Sequence, residues 1–412
     1  MKALVLAGGF PQINLIEQLR ERGIVTILAD YYEEPVAKKY ADKFYQVSTM
    51  DTDAIRQVAI DEKVDFLITV CTDQALNTIA RVSEDLGLPC YIDYQTALNV
   101  TNKQYMKKVF VENGIPTARH IILGEFDEKA LEDLAFPLIV KPVDCNSSKG
   151  VAKVFNIDEL EAALHMAVAY SRTSTAIIEE YIEGPELSVD VYVEQGKAKL
   201  LSVTTSDKIK DDEKFVIFRS KYPAVETKEI KEKIISAAQK IADAFNLKNS
   251  PMLIQLIVRD KDIFILEFSA RTGGGVKHEL IKRISGFDAI KAVIDLTLGN
   301  FPTVEIKKPE KKYIVDEFVY CKPGVFDHLK NFDELLEKGI ISNYFLFKWP
   351  GAVFDKIENS GDRIAGFTIK ADTLEELQSK HLCAAEELMV IDKTGQDIMR
   401  HDLLTEIKYK LV

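Results

Sequence analysis

LIQLIVRDKDIFILEFSARTGGG, residues 253–275, sets two apolar runs of strand-forming residues, Leu253 to Val258 and Ile263 to Phe268, on either side of the polar Arg259-Asp260-Lys261-Asp262. That is the pattern of a β-hairpin. Gln255 and Glu267 interrupt the two runs. A three-residue loop at Asp260 to Asp262 would put Gln255 directly opposite Glu267, with both side chains on one face; a two- or four-residue loop would send them to opposite faces. Ser269 and Arg271 follow Glu267 at spacings of two and four, so an extended chain carries them on the same face. Oxygen ligands beside a fixed cation and a glycine-rich segment suit Mg²⁺ and an oxyanion. Taken alone, the stretch fits an exposed, charged edge strand equally well.

The chain has 412 residues, too many for one ordinary core, so two to four domains are expected. With 47% apolar and 29% charged residues it has the composition of a soluble globular protein. A net charge of -12 leaves no electrostatic footprint for nucleic acid. The five cysteines are scattered without CxxC spacing, which indicates neither a zinc site nor a disulfide framework and fits a reduced, cytoplasmic setting. No signal peptide and no membrane span are read, so a membrane partner is not expected.

Residues 2–7 read as a buried parallel strand, followed by Gly8-Gly9 and an amphipathic helix over 13–22. Further alternation through 25–29, 44–47, 52–62, 65–71, 73–86 and 89–92 predicts a small doubly wound parallel sheet. Asp30 stands where a ribose-binding acid would follow a glycine turn, yet Gly8 and Gly9 are adjacent and no third glycine opens the helix, so the dinucleotide fingerprint is incomplete. Thr101 and Gln104 have capping-box spacing, which places Lys103 in a first helical turn, where by itself it reads as a surface charge. Phe136 to Pro142 makes a short buried strand ending in Lys141, whose ammonium needs an anion. The small-residue loop 144–151, with Ser147 and Ser148, could wrap phosphate oxygens. Helices are predicted over 158–170 and 227–245, and strands over 176–180 and 187–194. Tyr181 and Ile182, beside free backbone groups, could grip a purine edge and Glu186 could reach ribose hydroxyls; surface acids are the plainer reading of Glu179, Glu180 and Glu186. Lys208 and Arg219 read as solvated loop charges. After Pro302 and the charged run 307–312 the composition changes, and strands at 314–321, 352–358 and 364–370 with a helix opened by Thr373 predict a β-rich closing domain without a chemical motif.

Lys141 with its loop, EEYIEGPELSVD at 179–190 and LEFSARTGGG at 266–275 together resemble the ATP-grasp superfamily, of the carboxylate–amine ligase type. The resemblance extends from about residue 1 to 300, and the C-terminal segment is similar to the ends of glycinamide ribonucleotide synthetase and biotin carboxylase type members. It implies an α/β architecture with an N-terminal Rossmann-like domain (1–98), an ATP-grasp domain of two lobes hinged near 180 (99–302), and an α+β closing domain (303–412). Carried over by position, Lys103 and Lys141 resemble the lysines on the nucleotide phosphates, and Ser147 and Ser148 lie in the loop that closes over them. Glu179, Glu180, Tyr181 and Ile182 resemble the adenine hinge, and Glu186 the acid on the ribose. Glu267 looks like the Mg²⁺ ligand, with Gln255 where many members have a second acid and Ser269 where most have asparagine. This departure lowers the charge available to metal. Arg271 resembles the arginine on the acyl-phosphate side, catalytic together with Lys141.

The implied activity is ADP-forming ligation: MgATP activates a small carboxylate, amino acids included, as an acyl phosphate that an amine then captures. Gln255 and Ser269 motivate the alternative of a non-catalytic nucleotide-binding or regulatory protein. Members of this kind are often dimers, so a homodimer is one state the resemblance admits, while the sequence leaves the oligomeric state open.

Overall fold

The computed structural model describes residues 1–145, 150–209, 215–224 and 227–409. Four short, apolar strands open the chain: β1 (Lys2–Leu6), β2 (Val25–Asp30), β3 (Lys43–Gln46) and β4 (Phe66–Ile68). They pair in parallel in the order β3-β2-β1-β4. Helices α1 (Phe10–Glu21), α2 (Thr52–Glu62) and α3 (Asp73–Leu86) cover the sheet, as expected when parallel strands are buried on both faces. The glycine turn is committed to structure rather than to a dinucleotide. Asp30 Oδ2 accepts from the Gly8 N–H at 2.5 Å, and a Cβ on Gly8 would stand 2.6 Å from Pro35 Cβ, so Pro35 occupies the space above the turn.

Residues 89–92, expected as a strand, are irregular and lead into α4 (Tyr94–Thr101). Thr101 therefore ends one helix instead of capping the next. Its hydroxyl donates to Ala97 O, and Asn102 caps α5 (Lys103–Glu112) by accepting from Tyr105 N at 3.0 Å. Lys103 keeps its predicted place in the first turn.

A second sheet is antiparallel in the order β5-β8-β6-β7, from β5 (His120–Leu123), β6 (Leu138–Pro142), β7 (Ala152–Val154) and β8 (Ala176–Glu180). Helix α6 (Ile157–Tyr170) packs on one face, capped by Asn156, two residues before the expected start at Asp158.

The third sheet has eight strands. Its first five are β9 (Glu186–Glu194), β10 (Lys197–Lys208), β11 (Ile217–Tyr222), β12 (Ser250–Arg259) and β13 (Asp262–Ser269), with helices α7 (Lys228–Ala244), α8 (Lys277–Ser285) and α9 (Ala289–Thr297). Beyond a stretch at 300–312 without helix or strand come β14 (Tyr313–Val319), β15 (Gly324–Lys330), α10 (Phe332–Glu337), β16 (Asn343–Leu346), β17 (Val353–Phe354), β18 (Ala365–Ala371), α11 (Leu374–Glu387) and β19 (Met389–Asp392). Three of these continue the main sheet, whose order is β13-β12-β9-β10-β11-β14-β18-β16. The remaining strands form a small β17-β15-β19 sheet.

Phe10, at the head of α1, packs on His278 of α8 and on Phe345 and Phe347, with ring centroids 5.1–5.9 Å apart. This cluster joins the N-terminal sheet, α8 and the C-terminal strands. His278 is buried and, among the described residues, neither ring nitrogen has a hydrogen-bond partner. Burial pushes its imidazolium pKa down to about 4. The unfolded chain, with an ordinary histidine near 6.5, binds the proton more readily than the folded one. Stability is therefore intact above that pH and lost as pH falls from 6.5 towards 4, by up to about 3 kcal/mol. Melting temperatures measured across this range should fall in the wild type, and His278→Phe should flatten the descent.

Candidate active site

The hairpin around which the site is built reaches its register by a route the sequence did not display. Arg259 pairs with Asp262, so the loop is the two residues Asp260-Lys261, with Asp260 at φ +57°. Two residues would send Gln255 and Glu267 to opposite faces. A bulge then inserts one extra residue on β13: Leu256 pairs with Ile265 but Gln255 pairs with Glu267, leaving Leu266 between. The bulge restores the opposition, and both Leu266 and Glu267 line the cleft.

That cleft, open to solvent, lies between the β5–β8 sheet and the large sheet. Its lining includes Lys103, Lys141, Glu179 and Glu267, and a further buried cation, Lys107, backs Glu179. The Lys103 ammonium donates to Cys145 O at 2.7 Å and stands 3.2 Å from Glu267 Oε2. Lys141 and Glu179 lie on neighbouring strands and one face, and form a close ion pair. Lys107, only 1% exposed, holds the other carboxylate oxygen at 2.8 Å and donates to Thr117 Oγ1 at 2.6 Å. Burial alone would raise the Glu179 carboxyl; Lys107 and Lys141 outweigh it and hold the pKa down to about 2. Glu179 was expected at an adenine hinge. Its carboxylate is instead the counter-charge that makes two buried lysines tolerable.

The walls are apolar: Ile139, Val151, Tyr181, Ile182, Ile257 and Leu266. Tyr181 also carries the Lys153 ammonium 3.9 Å above its ring. The backbone groups next to it are less free than expected, because the Glu180 N–H donates to Arg119 O and the Tyr181 N–H to Pro137 O. The Glu180 side chain pairs outward with Arg119. Glu186 reaches the cleft, where it pairs with Lys208 and accepts from Gln255 Nε2 at 3.3 Å. Lys208, expected as a solvated charge, is thus part of the site. Ser147 and Ser148 lie outside the described residues.

Arg271 turns towards the N-terminal domain. Its Nε donates to Asp73 Oδ1 at 2.7 Å and a second nitrogen closes a bidentate pair. Burial raises the Asp73 carboxyl, but Arg271 more than reverses the shift and Ser269 donates to the same group, so the pKa lies below the ordinary aspartate value. The structure brings Glu267 and Gln255 together and turns Ser269 to Asp73. Arg219, the other expected solvated charge, is 1% exposed and bound to Glu317, with His381 Nε2 at 3.2 Å and Thr405 O at 2.7 Å.

Two features of this site escaped the sequence reading, the Lys107 side chain and the pairing of Asp73 with Arg271. Lys107 is one helical turn beyond Lys103, hence on the same face, and that spacing was a usable signal. For Asp73 there was none, since its partner lies 198 residues away.

Residues 134–279 match the ATP-grasp domain family. The chain is 29% identical over 203 residues to a D-alanine–D-alanine ligase of Flavobacterium johnsoniae, covering 46% of this chain and 61% of that one. It is 27% identical over 188 residues to a formate-dependent phosphoribosylglycinamide formyltransferase of Corynebacterium efficiens, covering 44% and 46%. The chain thus spans between about half and three fifths of these two relatives. The solved L-amino acid ligase of Bacillus licheniformis superposes with a TM-score of 0.79 at 20% identity, over 95% of this chain and 98% of that one, a likeness of fold.

Proposed function

From the ATP-grasp domain that the chain carries, we propose a cytoplasmic, ADP-forming ligase that joins a small carboxylate to an amine at the expense of ATP. The observation that supports it is the convergence of Lys103, Lys141 and Glu267 in one cleft that Ile139, Tyr181, Ile182, Ile257 and Leu266 also line. Adenine would lie between Ile139, Tyr181, Ile182 and Leu266, with the ribose against Glu186. The phosphates would lie over Lys103 and Lys141. Among the described residues no group of three or more His, Cys, Asp or Glu cages a metal. One carboxylate, Glu267, beside the Gln255 amide is nevertheless a donor set that Mg²⁺ accepts when phosphate and water complete its octahedron. Bound there, Mg²⁺ supplies neutralisation of phosphate charge.

The work of the chain's own residues is electrostatic. A carboxylate oxygen attacks the γ-phosphorus, the bond to the β-phosphate oxygen breaks and ADP leaves. Lys141 stabilises the charge on the transferred group without accepting a proton. The amine nitrogen then attacks the acyl carbon, phosphate departs with the electron pair, and the amine loses a proton. Arg271, oriented by Asp73, stands on the acyl side.

Release of ADP and phosphate from MgATP should appear with one particular pairing from a panel of amino acids, small carboxylates and ammonia. Silence across the panel with MgATP still bound by calorimetry would refute the ligase and leave a nucleotide-binding protein.

A further inference from the structure

The face of the large sheet that carries Glu267 continues as a polar floor away from the cleft. Glu267 pairs with Gln255, Gln255 with Ser188, and Ser188 with Thr204, so the four side chains form one row across β13, β12, β9 and β10. Three strand spacings make this row roughly 14 Å long. At the far end another lysine reaches down from α8. Lys277, 11% exposed, lays its stem against Gly273, where an added Cβ would stand 2.8 Å from its Cγ. Its ammonium donates to Thr204 Oγ1 and stands 3.7 Å from Asp190 Oδ2. Asp190 is 2% exposed; its Oδ2 accepts from Ser202 at 2.6 Å, while its Oδ1 has no hydrogen-bond partner among the described residues. The buried Thr272 hydroxyl, beside Arg271, is likewise unpartnered among those residues.

Lys277 and the buried Asp190 form an ion pair too long for a hydrogen bond, and Asp190 Oδ1 is left without a partner among the described residues. Together they complement a molecule that carries an ammonium and a carboxylate on neighbouring atoms. We propose that Lys277 and Asp190 form the pocket of the amine substrate and select an α-amino acid: its carboxylate on Lys277, its amino group on Asp190. The inference rests on the ligase reading above and adds the class of the acceptor.

The test compares three nucleophiles in ADP release from MgATP and the activated carboxylate: an L-amino acid panel, the corresponding amines lacking the carboxylate, and hydroxylamine, which captures an acyl phosphate without needing a pocket. Wild type should favour amino acids. Lys277→Met and Asp190→Asn should each lower kcat/KM for amino acids on the order of 100-fold, the scale of a lost charge-assisted hydrogen bond, and leave hydroxylamine rates and MgATP affinity unchanged. If hydroxylamine supports ADP release but no amino acid does, the pocket is wrong and the ligase stands. The pocket is also wrong if the variants slow amines and amino acids equally, or neither. If hydroxylamine fails with every carboxylate, the ligase reading falls and this inference with it.

Discussion

Lys141→Ala is expected to lower the turnover number for ATP-dependent ADP release by roughly 100- to 1,000-fold, the scale of losing one preorganised charge-stabilising group. The loss should not come from unfolding. With Lys141 gone, Glu179 keeps Lys107 at 2.8 Å, so no buried carboxylate is stranded. Circular dichroism should therefore be unchanged, with a modest fall in melting temperature. Lys107→Met makes the informative contrast. It removes a cation that touches no nucleotide in the proposed pose, so its effect should appear first in stability and only secondarily in turnover. A Lys141→Ala enzyme with full turnover would remove this lysine from the chemistry.

Glu317→Ala should destabilise the fold by about 3–5 kcal/mol, measured by chemical denaturation, because it takes from a buried guanidinium its fully buried counter-charge and leaves it only the partly exposed Asp207 at 3.4 Å. Glu317 is 0% exposed and binds Arg219 and His381, which are 1% and 4% exposed. Burial pushes its carboxyl up, but Arg219 and His381 outweigh that and hold it below the ordinary glutamate range. The cluster ties β11, β14 and α11 to the chain near Thr405. Replacing both partners, Arg219→Met with Glu317→Leu, should recover much of the loss, because an apolar pair strands no charge. If the single substitution costs under about 1 kcal/mol, the cluster is solvated in solution and the argument from burial fails.

Both effects depend on buried charge, where the sequence was least legible. Strands and helices followed from local alternation: β8 spans the predicted Ala176–Glu180, and α7 runs between the predicted Thr227 and Phe245. Misreadings occurred where a local rule had a competitor. Thr101 and Asn102 both suit a cap, and the backbone break between α4 and α5 favoured Asn102. Residues 89–92 have strand-like composition but do not join the parallel sheet, which ends at β4. Lys208 and Arg219 looked solvated because they flank polar sequence, and each is paired with an acid on an adjoining strand.

By itself the sequence determined the α/β plan, the hairpin and part of the cleft lining, Lys103, Lys141, Glu186 and Glu267 among it, because side-chain period, turn chemistry and short motifs act over a few residues. Only the tertiary structure decided which charges meet. The bulge at Leu266 restored a register that the two-residue loop alone would have broken. Arg271 found Asp73 across 198 residues, and Glu317 found Arg219 across 98. The energy of a buried charge depends on the one partner brought within a few ångströms, and no local pattern names that partner.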